Sequence, residues 1–596
     1  MMRKIRCAIL FLSGCFLIFF AVFAFELGLD PTPNWGRSRI LAFSLGTLLM
    51  VVFADMRFGP AWTEKTLGRI DTWFVGFWTK LFDRLPLPKA LQQGNSQHVR
   101  NRLIYVSAFF SSFVIIGIYV WFATAGTWIK WPAPSSYYDW LANSFVQGKV
   151  SLDVKVDPKL LTLPDPFDFA SRTQNGVRYL WDASLYDGKY YLYWGPIPAI
   201  ILAAIKIIHP MGISDLIIAF VAAVGLLVFQ TILITRIWLH FFQRLPVWTL
   251  ILGIFLAGLV VPITWMINRP KIYEASVLSA QLFLMGGVYF AYIAFEKDEI
   301  SAGWLALAST FWVCAIASRT IIVFAIIFFV FFILAGVIRK HGITWTFHFN
   351  ALILALGIPM MLGAIGLGWY NFARFGSVFE FGLKYQLTSN NIYKNGNRLF
   401  SSQYITANIY NYLLNPPKEI RPFPYFRATD GVDDEAFGLP IPELYYAEKV
   451  TGAVYVLPFM AFAFFPIMKV ITKKISRKQD AHGAGWNLDW LSLALCGGII
   501  VEVASMLLFF YATMRYFADV TPMLILLAIV GFWTGYRAVQ SDRFVRFVYA
   551  GVGIPLAGLS VIVPTALALL SSQRINEYSP QTLPALDALF RSIFSS

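Results

Sequence analysis

The chain reads as an all-α polytopic membrane protein, a bundle of about thirteen transmembrane helices with outer-face juxtamembrane helices and two long external loops. Three observations predict that class. Of its 596 residues, 58% are hydrophobic and only 14% are charged, whereas a soluble domain carries about a quarter charged residues. Apolar runs of spanning length, about 20 residues each, recur along the whole sequence. The basic residues behind the formal charge of +15 stand mostly in short connections between those runs, where the positive-inside bias puts them. That placement removes the need for nucleic acid as a partner.

Taken in order, Met1 to Arg6 is a short basic lead into an apolar stretch that reaches Phe25. It is long enough for an uncleaved signal anchor, although Val22-Phe23-Ala24 also has the look of a peptidase site. Spans are expected at 7–28, 39–54, 103–124, 213–239, 247–266, 273–295, 303–317, 319–337, 350–368, 451–471, 488–511, 517–537 and 545–571. Segment 195–209 is apolar but short, opens with Gly195-Pro196-Ile197-Pro198, and contains Lys206 and the His209-Pro210 stop. Counting it as a span would place Lys473, Lys474, Arg477 and Lys478 outside, so it reads as an outer-face juxtamembrane helix. The N-terminus is then cytoplasmic, the C-terminus external, and loops 125–194 and 371–450 external.

Four regions follow. Residues 1–102 form two spans and a cytoplasmic interfacial connector, with Trp62, Trp73 and Trp78 among Lys65, Arg69 and Lys80. Residues 103–370 form the core with the first external loop, 371–450 a second loop domain, and 451–596 the closing spans. No internal repeat or low-complexity tract interrupts them.

Several chemistries drop out. Cys7, Cys15, Cys314 and Cys496 all fall in apolar runs without ligand spacing, and six histidines are scattered, so no metal site is expected. There is no Walker loop, dinucleotide-binding glycine pattern or nucleophile elbow. What remains is a concentration of carboxylates, cations and aromatics on one side. The first loop opens with Ser135-Ser136-Tyr137-Tyr138-Asp139-Trp140, spaced as a short interfacial helix that ends at Gly148. It continues through Asp165-Pro166-Phe167-Asp168 to Trp181-Asp182 and then Tyr186-Asp187-Gly188-Lys189, where Asp187-Gly188 reads as a hairpin turn. Asp139, Asp165, Asp182 and Asp187 are candidate general bases, and each is also suited to capping a helix or turn.

Cations meet the same face at Arg269, Lys271, Arg319, Arg374 and Arg515. Positive charge on the outer ends of spans runs against the positive-inside bias and asks for an anionic partner, for which a lipid phosphate is the chemical match. Snorkelling to headgroups, or pairing with Glu274, is the structural alternative. Aromatic faces with nearby polar groups suit sugar rings, which makes Tyr138, Tyr193, Trp194, Tyr385 and Tyr404, with Glu274, candidate substrate contacts. Glu502, inside an expected span, is a further functional candidate.

These features resemble the GT-C superfamily of membrane glycosyltransferases, in the branch similar to protein mannosyltransferases and aminoarabinose transferases. The resemblance covers about residues 103–540. It is carried by the large loop after an early span, the Arg269-Pro270 to Glu274 turn, and Arg515-Tyr516 leading into the span with Pro522. Asp182-Ala183-Ser184-Leu185-Tyr186 through Tyr193-Trp194-Gly195-Pro196, and Tyr370-Asn371 through Arg374-Phe375-Gly376 with Glu380-Phe381-Gly382, look like stretches of bacterial members. The resemblance implies a GT-C-like bundle in a bacterial cell membrane and an inverting transfer from a polyprenyl-phosphate-linked sugar to an extracytoplasmic acceptor. An acid of the first loop would be the base, and membrane lipids would surround the chain. Many relatives carry adjacent acids directly after the first span, where this chain has Ser135-Ser136, so Asp139 by position and Asp182 by motif remain level. A divalent cation, Mg2+ or Mn2+, could share the phosphate work, although no ligand set is visible. The competing classes are a flippase or transporter of lipid-linked saccharides, a glycan ligase or polymerase using a polyprenyl diphosphate, and a membrane scaffold.

Overall fold

A computed structural model describes residues 96–594 apart from 261, 297–298, 344–345, 433–434, 437–438, 467 and 469–485, together with a few positions between 13 and 46. Almost all of the expected span 7–28, more than half of 39–54, almost all of the 57–102 connector, Cys7, Cys15 and the Lys473 to Lys478 cluster lie outside the described residues. Among those described, nine helices are long and apolar enough to cross a membrane, and the chain is a multi-pass membrane protein.

The long helices are α1 (Ser96–Ala123), α4 (Asp215–Phe241), α5 (Val247–Leu259, continued by Ile263–Asn268), α6 (Ile272–Ala294), α8 (Val323–His341), α9 (Phe347–Phe375), α10 (Trp486–Leu508), α11 (Phe517–Ala538) and α12 (Arg543–Leu569). Three shorter ones matter for the site: α2 (Tyr137–Val146), α3 (Ile197–Ile208) and α7 (Ala302–Ile316). α6 packs between α4 and α7, α7 also meets α9, and α8 lies along α10.

Two expectations change. Span 303–317 is the 15-residue α7, only about 22 Å long at 1.5 Å per residue and short of a ~30 Å hydrocarbon layer. Span 451–471 does not form one helix. It breaks into Ala453–Val456 and a 3-10 segment, Pro458–Ala463, because Pro458 has no N–H to continue the ladder. Segment 195–209 contains the twelve-residue α3, about 18 Å long and likewise too short to span.

The chain divides into two compact units, one of Met1–Ile104, Arg244–Thr249 and Trp533–Pro555, the other of Tyr105–Gln243, Leu250–Phe532 and Leu556–Ser596. Within the first, the Trp533 indole donates to the Thr249 carbonyl at 3.2 Å. Everything that follows concerns the second.

Its first long loop is built from polar anchors. Asp215, opening α4, accepts from Ser135 Oγ at 2.6 Å and from the N–H groups of Tyr137 and Tyr138 at 3.0 and 3.2 Å. A carboxylate thereby satisfies the orphan donors at the N-terminus of α2. Strands β1 (Ser184–Tyr186) and β2 (Lys189–Tyr191) pair antiparallel. Asp187 and Gly188 between them have φ of 46° and 66°, the conformation a two-residue hairpin requires.

The second long loop is stitched onto the first. Asp182 N–H donates to Leu387 O at 3.0 Å, Leu387 N–H returns to Ala183 O at 3.0 Å, and Ser184 Oγ donates to Gly382 O at 2.8 Å. Arg172, fully buried, donates to the carbonyls of Pro166 and Thr388. Further along, β3 (Tyr446–Ala447) pairs in parallel with β4 (Tyr511–Ala512), just ahead of α11. Neither loop is a plain linker; together they form one folded cap over a set of helix ends.

Candidate active site

Under that cap lies a cavity of about 630 Å³. Asp182 lines one part of its wall. Its φ of 59° is a left-handed conformation that Asp tolerates better than most residues. That turn sets the carboxylate against the Tyr273 hydroxyl, which donates to it, while Gln386 Nε2 holds the Asp182 carbonyl at 3.1 Å. Burial pushes the Asp182 carboxyl above the usual aspartate range, opposed by the Tyr273 hydroxyl and the Arg515 charge. Tyr273 also carries the Arg515 guanidinium over its ring, 4.6 Å from the centroid. One phenol therefore touches an acid at its tip and a cation on its face. Trp194 packs edge-on against the same ring, at 5.2 Å and 75°.

The cations form two clusters and one exception. Arg515 and Arg269 share Glu448, with Nη1 to Oε2 distances of 3.2 and 3.3 Å. Glu448 further accepts from Tyr511 at 2.6 Å and Thr513 at 2.8 Å. Its position follows from the β3–β4 pairing, sealed by Glu448 N–H donating to Ala512 O at 2.8 Å. Burial alone would raise this carboxyl, but Arg515, Arg269 and the two hydroxyls outweigh it and hold it at about 2. Arg319 grips Asp519 through Nε at 2.9 and 3.0 Å and Nη2 at 2.7 Å. Burial works against the Arg319 charge, and Asp519 more than offsets it, raising its pKa. The exception is Lys271, an exposed cavity-lining side chain whose ammonium has no ion pair among the described residues.

The other residues singled out by sequence lie elsewhere. Asp139 is ion-paired with Lys206 of α3 at 2.8 Å and accepts the Ile213 N–H at 2.8 Å. Those contacts tie α2, α3 and the approach to α4 together and leave Asp139 outside the cavity. We expect Asp139→Ala to cost about 3–5 kcal/mol, because it strands a buried ammonium, and to read out as a lower unfolding midpoint in detergent. Asp165 takes Lys394 at 2.6 Å and Asn391 at 2.9 Å, which hold its carboxyl below the usual range against partial burial. Asp187 is the exposed hairpin turn. Arg374, 4% exposed, gives its guanidinium to Leu192 O and Asn371 Oδ1, both at 2.6 Å, over the Tyr370 ring. Glu274 accepts the Lys271 N–H at 3.0 Å as a helix cap. Tyr138 is a fully buried residue of α2, Tyr385 stacks on Phe375, and the Tyr404 hydroxyl donates to Arg398 O at 2.7 Å. Tyr193 and Trp194 do line the cavity.

Gly195 explains how the hairpin loop reaches Arg319. Its N–H donates to Ser318 O at 3.3 Å, and a Cβ there would sit 2.0 Å from Ala317 O. Gly195→Ala should therefore push the Tyr193-Trp194 segment off the turn before Arg319. The expected cost is at least the 1–3 kcal/mol typical of overpacking, visible as a lower unfolding midpoint and weaker substrate binding.

No protein-family model matches the chain, and no curated protein matches it. Two solved structures are similar to it. One is an Archaeoglobus fulgidus oligosaccharyltransferase tethered by a disulfide bond to an acceptor peptide, at 12% identity over 78% of this chain and 55% of that one, TM-score 0.40. The chain thus spans about half the length of that protein. The other is ArnT from Cupriavidus metallidurans bound to undecaprenyl phosphate, at 11% identity over 79% of this chain and 77% of that one, TM-score 0.35.

Sequence reasoning missed Tyr273, Glu448 and Asp519 as parts of the site. Tyr273 carries a local signal, since it lies between Lys271 and Glu274 at the start of a span. Glu448 carries none, because its role depends on a strand pairing with residues more than sixty positions away.

Proposed function

We propose that the chain is an inverting glycosyltransferase that moves a sugar from a polyprenyl-phosphate carrier to a hydroxyl of a cell-envelope glycan, lipid or protein. The reaction would take place at the extracytoplasmic face of a bacterial inner membrane, the side to which loop charge assigns both long loops. The observation that carries this reading is the junction at Thr320. That residue lines the polar cavity and also an apolar groove of about 930 Å³ bounded by α7, α8, α9 and the 378–381 turn, with Val313, Val323, Leu367 and Phe381 in its wall. A substrate that fits both spaces has a long apolar chain joined to a polar head. The unpaired Lys271 and the nearby arginines make the head anionic.

Four cavity residues then have defined tasks. The lipid chain lies in the groove and its phosphate meets Lys271 and Arg515, groups that stabilise charge where it grows. Asp182 accepts the proton of the incoming hydroxyl as that oxygen bonds to the anomeric carbon. The bond from that carbon to the phosphate oxygen breaks, and the phosphate leaves with the electron pair as the free lipid phosphate. Tyr273 positions both reacting sides, holding Asp182 with its hydroxyl and Arg515 with its ring.

The test is reconstitution of the purified chain in vesicles with radiolabelled undecaprenyl-phosphate sugars and envelope extract as acceptor. Label should pass from the lipid to the acceptor fraction with release of undecaprenyl phosphate. A chain that consumes none of these donors while remaining folded is not a transferase of this kind.

A further inference from the structure

Most charged groups in the cavity wall already have partners: Arg319 with Asp519, Arg269 and Arg515 with Glu448, Asp182 with Tyr273. Besides Lys271, the group left over is Glu502. It lies within α10, is 1% exposed, and lines the cavity. Neither of its carboxyl oxygens has a hydrogen-bond partner; the Ala325 N–H, in the first turn of α8, faces it without closing a bond of normal geometry. Leaving a buried polar group unsatisfied costs about 1–3 kcal/mol, more for a charged one. A side chain kept in that condition, in the wall of a cavity, has its partner in whatever fills the cavity.

The neighbours on the same helix say what that partner is. Glu502, Ser505 and Met506 line the cavity, as does Phe509 just past the end of α10, and positions i, i+3 and i+4 form one helix face. This face offers, in order, a carboxyl, a hydroxyl and a polarizable thioether, and the Phe509 ring follows just beyond its end. Such a stripe matches a sugar ring, whose C–H face packs on aromatic and thioether surface and whose hydroxyls donate to a carboxyl. A phosphate already has Lys271 and Arg515 to meet in the same cavity, which leaves the Glu502 carboxyl for the sugar.

We propose that this face of α10 is the platform for the transferred sugar, with Glu502 accepting its hydroxyls as the specificity-determining contact. The assignment rests on the glycosyltransferase reading. It adds that the donor is recognised through its sugar as well as through its phosphate and chain.

The experiment measures affinity of the purified full chain in nanodiscs for bare undecaprenyl phosphate and for undecaprenyl phosphate loaded with a panel of neutral hexoses and pentoses or with an amino sugar. Wild type is expected to prefer at least one neutral-sugar lipid over the bare lipid. Glu502→Ala should lose about 2–10-fold for that lipid, the effect of removing an ordinary hydrogen bond, with affinity for the bare lipid unchanged. Glu502→Gln, which keeps one acceptor, should fall between them, and Glu502→Ala should melt no lower than wild type, since an unsatisfied group has been removed. A wild type that binds bare and loaded lipids equally, or variants that weaken both alike, overturns the proposal and leaves the transferase reading standing. A preference confined to the amino-sugar lipid replaces hydroxyl recognition by charge pairing and also overturns it. If no undecaprenyl lipid binds, the transferase reading fails and the platform with it.

Discussion

Asp182→Asn is expected to lower the rate of sugar transfer by about 10²–10⁴, the range a positioned general base contributes. The substitution keeps the shape of the side chain and an oxygen for the Tyr273 hydroxyl to donate to, so the fold and donor binding should persist. The loss should fall on kcat, with little change in KM for the lipid-linked sugar. pH gives a second readout. The carboxyl must be ionised to take a proton, and burial raises its pKa above 3.8. Transfer by wild type should therefore fall on acidification through a limb lying above that value, and the limb should vanish from the residual activity of Asp182→Asn. Full activity in this variant removes Asp182 from the role of base and returns the question to the other acids of the loop.

The contrast between Asp182 and Asp139 marks where sequence stops being informative. Both are aspartates among aromatics in the same loop, and both are about equally buried. What separates them is the partner each meets. Lys206 lies 67 positions from Asp139 in sequence and reaches it only because α3 packs on α2, whereas Asp182 meets a phenol at the start of α6. The same holds for the cations. Five stand where positive charge is out of place, and four of them line the cavity, but Arg374 spends its donors on a carbonyl of the hairpin loop and on an amide of its own helix. Local features were legible because local chemistry decides them: the Asp187-Gly188 turn, the short helix after Ser136, most spans of the core, and the inability of segment 195–209 to span. Glu448 was not, because its meaning is created by a two-residue strand pairing.

Glu448→Gln is the complementary experiment and the larger test of stability. The wild-type carboxylate neutralises Arg269 and Arg515 together and accepts hydroxyls from Tyr511 and Thr513. Removing its charge strands two partly or fully buried guanidinium groups, for which a loss of about 3–5 kcal/mol is the measured precedent when one partner of a buried ion pair goes. The sign with pH follows from its lowered pKa. Ordinary glutamate titrates near 4.5 and this one at about 2, so its stabilising effect is complete above 4.5 and is lost as pH falls through 2. Wild type should lose stability across that window by about 3 kcal/mol more than Glu448→Gln does, at 1.36 kcal/mol per pKa unit. Function should move the opposite way at one step. With Glu448 neutral, Arg269 and Arg515 gain net charge toward the cavity, so the released lipid phosphate should bind more tightly and inhibit at lower concentration, while kcat falls. Tighter product binding together with lower stability is a pairing that general unfolding cannot produce. Weaker binding of undecaprenyl phosphate in this variant would show that Arg515 acts through the shape Glu448 imposes, with charge contributing little to phosphate recognition.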